Sequence, residues 1–281
     1  MTVLANNAKT AILLAFLFGL FVWVGSFWGT QGMVLAALIA GAMNVGTWWF
    51  SDRLAIAAMH GRQVDMQSAP ELVSMVARLS ERAGLPMPRV FICPQEAPNA
   101  FATGRSPRHA AVGITEGALR LLARDELEGV IGHELAHIRN RDTLTSTVAA
   151  TIAGVFSMMA QWALLFGGGG GGGDGQRGGH PFAALAVVLL GGVGAALLRA
   201  TISRSREYVA DAEGAAIAGS PHGLVSALAK LEQWNRRVPL QTANPALNGM
   251  FIVEPWVGET LTGLFATHPP TERRIAALRR V

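Results

Sequence analysis

The chain has 281 residues, enough for one enclosed domain of ordinary size with added elements; 51% of them are hydrophobic and 15% charged. With a mean hydropathy of +0.34, this is well to the apolar side of soluble domains, of which about a quarter of the residues are charged. The net charge of +4 does not mark a nucleic-acid binder, because the arginines are spread along the chain instead of clustering with aromatic residues, and the lone Cys93, set beside Val90, Phe91 and Ile92, excludes an internal disulfide and reads as a buried apolar side chain in a reducing compartment.

No charged residue occurs between Thr10 and Ser51. Roughly 20 apolar residues cross a bilayer core, so this stretch is expected to hold two spanning helices, at residues 11–27 and 33–50. The break falls at Gly29-Thr30-Gln31-Gly32, where two glycines and two polar side chains favour a tight turn. Trp23, Trp28, Trp48 and Trp49 lie near the ends, at interfacial positions. A cleaved signal peptide is the competing reading of the first span, but no clear small-x-small cleavage site precedes the second apolar run.

Next come two strand-like segments, Asn99-Ala100-Phe101-Ala102 after a Pro-rich stretch and His109 to Thr115. A helix follows, with Asp125, Glu126 and Glu128 in its first turns, where they suit the helix dipole. Leu121, Leu127, Val130, Ile131, Leu135 and Ile138 give it an apolar side. A second hydrophobic pair is expected at residues 143–166 and 181–198, joined by the glycine run 167–173. That run lacks the Gly-Lys-Ser/Thr ending of a phosphate loop and reads as a flexible connector. The tail holds two amphipathic helices, at 220–231 and 270–278. Residues 241–258 form a loop between them, readable as a substrate gate or as a cover for the core.

Positive charge orients the spans. Lys9, Arg53, Arg62, Arg139, Arg141, Arg199, Arg204 and Arg206 flank them on one side, while the hairpin tips carry only Arg177. The N-terminus, residues 51–142 and the tail after 199 are therefore expected to be cytoplasmic. This divides the chain into a membrane hairpin (1–50), a first catalytic part (51–142), a second hydrophobic hairpin (143–198) and a second catalytic part (199–281).

His133-Glu134-Leu135-Ala136-His137 carries the chemistry. Histidines four apart on a helix put both imidazoles on one face, at two corners of a tetrahedral zinc site. Glu134 is then placed to take a proton from the attacking water and pass it to the leaving amine. The spacing alone arises by chance in about one chain in a hundred of this length, so a third ligand matters. Glu207 is the candidate, with Asp211 one turn further along the same face as the acceptor that orients His133 or His137 through its ring N–H. An ordinary surface helix with Arg–Glu pairs is the plainer reading of this segment. Topology favours the ligand, because an even number of crossings after His137 returns Glu207 to the same side of the membrane.

Taken with Pro98 to Gly104, Ser205-Arg206-Glu207-Tyr208-Val209-Ala210-Asp211 and Thr267-His268-Pro269-Pro270-Thr271-Glu272-Arg273-Arg274-Ile275, the order of motifs resembles the bacterial HtpX heat-shock membrane proteases over nearly the whole chain. The resemblance implies a mainly α fold with a small β-sheet, a zincin-like metalloprotease domain fused to four hydrophobic helices. It also implies one Zn²⁺ held by His133, His137 and Glu207, with Glu134 as catalytic base. The site would face the cytoplasm at the inner membrane, and the substrates would be membrane or misfolded polypeptides cleaved in quality control under stress. The long pure glycine run departs from what is usual there.

In zinc proteases of this kind a strand edge pairs with the substrate backbone; Asn99, Ala100, Phe101 and Ala102 are the candidate edge, with simple core the alternative. Tyr208, the only tyrosine, points about 100° away from Glu207 on its helix, so His268 is preferred for stabilising the oxyanion or shaping the site, against a capping or packing role. His60, His109, His180 and His222 have no partner at ligand spacing and read as structural. Three other functions compete: a non-catalytic membrane zinc scaffold, which needs no base beside an open position, an intramembrane protease, disfavoured by the charges around the zinc helix, and a CAAX-type prenyl endopeptidase.

Overall fold

The computed structural model describes residues 2–145, 148, 204–237 and 269–280. Two long apolar helices come first, α1 (Thr2–Ser26) and α2 (Gly29–Ala58), packed on each other as a hairpin. Their most apolar windows, Leu4–Trp23 and Gly29–Phe50, are only 22% and 11% buried. Leu4, Ile12, Phe16, Trp23, Val34 and Leu38 all face outward, a surface that lipid accommodates and water does not. The reversal lies at Phe27 and Trp28, two residues before the expected turn. Gly29 takes φ +74°, open to glycine at little cost, and the second helix starts there, so Thr30 and Gln31 fall inside its first turn.

The remaining elements are β1 (Arg62–Val64), α3 (Pro70–Arg82), β2 (Arg89–Cys93), β3 (Ala100–Thr103), a 3-10 turn (Pro107–His109), β4 (Ala111–Thr115), α4 (Glu116–Leu121), α5 (Arg124–Asn140), α6 (Arg204–Ala218), α7 (His222–Arg237) and α8 (Thr271–Leu278). His109 belongs to the turn instead of the strand, its ring held by the Ser106 hydroxyl at 3.0 Å. The first tail helix begins later and ends later than expected, after Pro221. Residues 151–203, with the glycine run and His180, the 241–258 loop and His268 all lie outside the described residues.

The strands form one mixed sheet in the order β1-β2-β4-β3. β2 and β4 run parallel at its centre, and β1 and β3 are antiparallel edges. Alternation sorts the side chains by face. Val90, Val112, Ile114 and Ala100 join the main core with α3, α5, α6 and α7, whereas Phe91, Cys93, Phe101 and Ala111 pack with Ile56 and Met59 from the end of α2. The sheet is thus held between α3, α5, α6 and α7 on one face and the C-terminal end of α2 on the other. The Cys93 thiol is fully buried there, and burial raises its pKa to about 11, which makes it an inert apolar side chain.

Candidate metal centre and active site

The site is made where α5 crosses α6. A Cβ at Gly132 would stand 2.6 Å from the Gly214 carbonyl oxygen, and one at Gly214 would stand 2.6 Å from the His133 backbone nitrogen. Only glycine at both positions lets the two helices approach this closely. On α6 the approach brings Glu207, Ala210, Asp211 and Gly214, a stripe at helical spacing, onto the histidine face of α5. Ile131, Leu135 and Ala136 are fully buried around it, and each burial of a side chain the size of Ile or Leu stabilises the crossing by about 1.5–3 kcal/mol.

His133 Nε2 and His137 Nε2 lie 3.1 Å apart, and Glu207 places its carboxylate 3.8 Å from the first and 3.6 Å from the second. Each ring turns its other nitrogen to an aspartate. His133 Nδ1 is 3.0 Å from Asp211 Oδ1, close but off the axis of a well-aligned hydrogen bond; His137 Nδ1 is 3.1 Å from Asp142 Oδ2. Those partners favour the tautomers with Nδ1–H, which leaves both Nε2 lone pairs facing one another and a carboxylate. A divalent cation resolves that arrangement. Zinc bonds of about 2.0–2.2 Å at tetrahedral angles set ligand atoms roughly 3.3–3.6 Å apart, close to the three separations seen.

The electrostatics are those of a cation site. Burial works against a charged His137 ring, but the Asp142 hydrogen bond and the nearby Glu207 and Glu134 outweigh it and raise the metal-free ring to about 9. Burial also pushes the Glu134 carboxyl above the usual carboxylate range; the two imidazoles and the Ala102 N–H pull it down, and Glu207 pushes it up.

Ala102 belongs to β3, the sheet edge nearest α5. The Thr115 N–H donates to the Asn99 carbonyl oxygen at 2.9 Å, and the Thr115 hydroxyl accepts from the Asn99 N–H at 2.8 Å. Antiparallel bonds recur at every second residue, so Phe101 and Thr103 also face β4, and the backbone groups of Ala100 and Ala102 point to the outer edge, which pairs with no further strand among the described residues. Phe101 itself is core, its ring lying over Gly113.

Two parts of the site were missed in the sequence reading. The first is Arg274, quoted in the tail motif and placed in an amphipathic helix but given no role. It is 1% exposed and grips Asp211 with Nε at 2.9 Å and Nη2 at 2.6 Å, its third nitrogen 3.9 Å from Glu207. Burial alone would raise the Asp211 carboxyl, but the Arg274 fork, with His133 beside it, holds it at about 2. The second is Asp142, carried under His137 by Arg141, which ends α5 in the left-handed region at φ +57°, a conformation that costs a non-glycine residue of order 1 kcal/mol. Asp142 also accepts from Arg206 Nη1 at 3.0 Å, so Arg206, read as a topological charge, is a buried member of the site. The available signal was an Arg in the HPP-containing tail motif and an Asp five residues after the second histidine.

Residues 66–281 match the profile of peptidase family M48. The chain belongs to that family. It is 49% identical over 277 residues to a protease HtpX homolog of Pyrococcus furiosus, covering 97% of this chain and 95% of the relative. It is likewise 49% identical over 280 residues to one of Syntrophotalea carbinolica, covering 98% and 99%. The crystal structure of S. mikatae Ste24p shares the fold at a TM-score of 0.52 and 16% identity, over 98% of this chain and 66% of that one. This M48 peptidase is a membrane metalloprotease that acts on polypeptides. Its zinc dependence is that of the family, and among the described residues His133, His137 and Glu207 are the grouping able to hold the ion.

Proposed function

We propose that the chain is an endopeptidase in which His133, His137 and Glu207 hold one zinc ion, Glu134 is the catalytic base and the open edge of β3 receives the substrate as an added strand. The observation that carries this reading is the position of Glu134. It is a buried carboxylate beside the three candidate metal donors, bonded to the outward N–H of Ala102 on the outer strand of the described sheet. A structural metal site has no use for such a group.

A zinc ion held there supplies Lewis acidity, polarising the scissile carbonyl and acidifying the water that attacks it. Glu134 accepts the water proton and returns it to the leaving amine; a carboxyl shifted upward by burial is a better acceptor than an exposed one. The outward N–H and carbonyl of Ala100 and the carbonyl of Ala102 offer main-chain hydrogen bonds to a substrate regardless of its side chains, the Ala102 N–H being taken by Glu134. Asp211 sets the His133 ring, and His268 is the proposed site-shaping or oxyanion residue. The flanking positive charges support a cytoplasmic address at the inner membrane for both catalytic parts; the second hydrophobic pair proposed between them lies almost entirely outside the described residues. The substrates we assign are membrane or misfolded proteins, degraded there under stress.

The test is a cleavage assay of the detergent-solubilised chain against Glu134→Gln, with zinc measured in both. Zinc retained with activity lost, by about 10²–10⁴-fold for a general base, supports the reading. Equal activity sinks it and leaves the scaffold alternative. Cleavage confined to prenylated C-terminal peptides redirects it to the CAAX-type alternative.

A further inference from the structure

Polar side chains on the two apolar helices are few, and one of them is almost wholly buried. Asn6, on α1, is 1% exposed, although most of that helix faces outward. A buried amide must be hydrogen-bonded or it destabilises its helix, and Asn6 uses its whole side chain. Nδ2 donates to the Asn140 carbonyl at 3.1 Å and to Asp142 Oδ1, while Oδ1 accepts from Arg206 Nη1 at 3.0 Å. The amide fits in this orientation only, because the flipped one would set its oxygen against a carbonyl and a carboxylate, and its NH₂ against a guanidinium. One turn on, the Thr10 hydroxyl meets that of Thr145 at 2.8 Å, and both reach the Asn6 carbonyl, at 3.0 and 3.2 Å.

Asp142 divides its two oxygens. Oδ2 faces the His137 ring, and Oδ1 is held by Asn6 and Arg206. Its angle to the ring is therefore set from α1 and α6 and not by its own backbone turn alone.

We infer that Asn6 is a positioning residue of the metal centre, holding Asp142 and through it the His137 ring, so that the first membrane helix is a part of the site as well as an anchor. The inference rests on His137 being a ligand. An outer partner of a ligating histidine changes metal affinity by about 10–100-fold when removed, and Asn6 acts one bond further out, at the lower end of that range.

The experiment uses the full chain in detergent, with zinc affinity read by competition with a chromogenic chelator, the visible spectrum of the cobalt(II)-loaded protein and kcat and KM on a peptide. Asn6→Asp keeps the acceptor for Arg206 but loses both donors and sets a carboxylate beside Asp142. It is expected to weaken zinc about tenfold, alter the cobalt spectrum and lower kcat with KM within about twofold. The exchange Asn6→Asp with Asp142→Asn restores a donor–acceptor pair between the two positions and recovers part of the affinity. Leu13→Ala, a buried apolar truncation on the same helix, lowers stability and leaves zinc affinity alone. Unchanged zinc affinity in Asn6→Asp, or an equal loss in Leu13→Ala, overturns the inference. His137→Ala separates the two levels: if it keeps zinc, the ligand assignment itself has failed and this inference with it.

Discussion

Replacing Arg274 with Met would leave the Asp211 carboxylate, 2% exposed at its side chain, without its countercharge. The cost can be approached from two sides. Holding Asp211 at about 2 instead of its ordinary 3.8 corresponds to roughly 2 kcal/mol, and removing one partner of a buried ion pair costs roughly 3–5 kcal/mol. For a domain of this size that is a melting point lower by roughly 4–20 °C. The sign with pH follows from linkage. A carboxyl whose folded pKa is depressed contributes stability that is present above about 3.8 and lost as pH falls through about 2. The gap between wild type and variant should therefore be full at pH 6 and shrink between pH 4 and pH 2. Arg274→Lys keeps the charge but not the two-pronged grip and should fall between them. The assay is thermal unfolding of the zinc-stripped protein in detergent across that pH range, with zinc rebinding at pH 7, where a His133 ring whose Asp211 is no longer held by Arg274 should bind about 10–100-fold more weakly. A variant that melts within about 2 °C of the wild type and rebinds zinc equally well would refute the assignment of Arg274 as the group that holds Asp211.

Three further outcomes are expected. Ala100→Pro removes an outward N–H without touching a bond to β4, so KM on an extended peptide should rise several-fold with zinc content intact; proline at Phe101 is the less informative choice, since it breaks the ladder itself. Gly214→Ala drives a methyl into the α5 backbone, and overpacking of about 1–3 kcal/mol should separate Glu207 from the histidines, read as loss of stoichiometric zinc; full zinc occupancy would show that the crossing tolerates a side chain. Lys230→Met removes a 2.8 Å bond to the buried Glu126 at the start of α5, and stability should drop without loss of zinc, checked by unfolding and metal analysis together.

Much of the site is legible in the chain because the relevant spacings are local. His133, Glu134 and His137 share a helix, and Glu207 and Asp211 are one turn apart on another, so periodicity sets which residues share a face on each helix, while topology and the order of motifs join Glu207 to the histidines. The two apolar hairpin helices were visible for the same reason, length and absence of charge, although the reversal came two residues early because Gly29 can take positive φ at the helix start. The strand Ala100–Thr103 could be named as a strand but not as an edge, since pairing order is a property of the whole sheet.

What only the tertiary structure decided are the contacts that bridge long stretches of sequence. Arg274 reaches Asp211 across 63 residues, and Asn6 reaches Asp142 across 136. No pattern of hydrophobicity announces such pairs, because a lone Arg on an amphipathic helix and a lone Asn on an apolar one look like surface charge and a defect until their burial is known. Residue types and helical period mark the candidate donors on each helix. The geometry that turns each imidazole toward the metal comes from elements far apart in sequence, since orienting a ring requires a charge on its far side, beyond the helix that carries it.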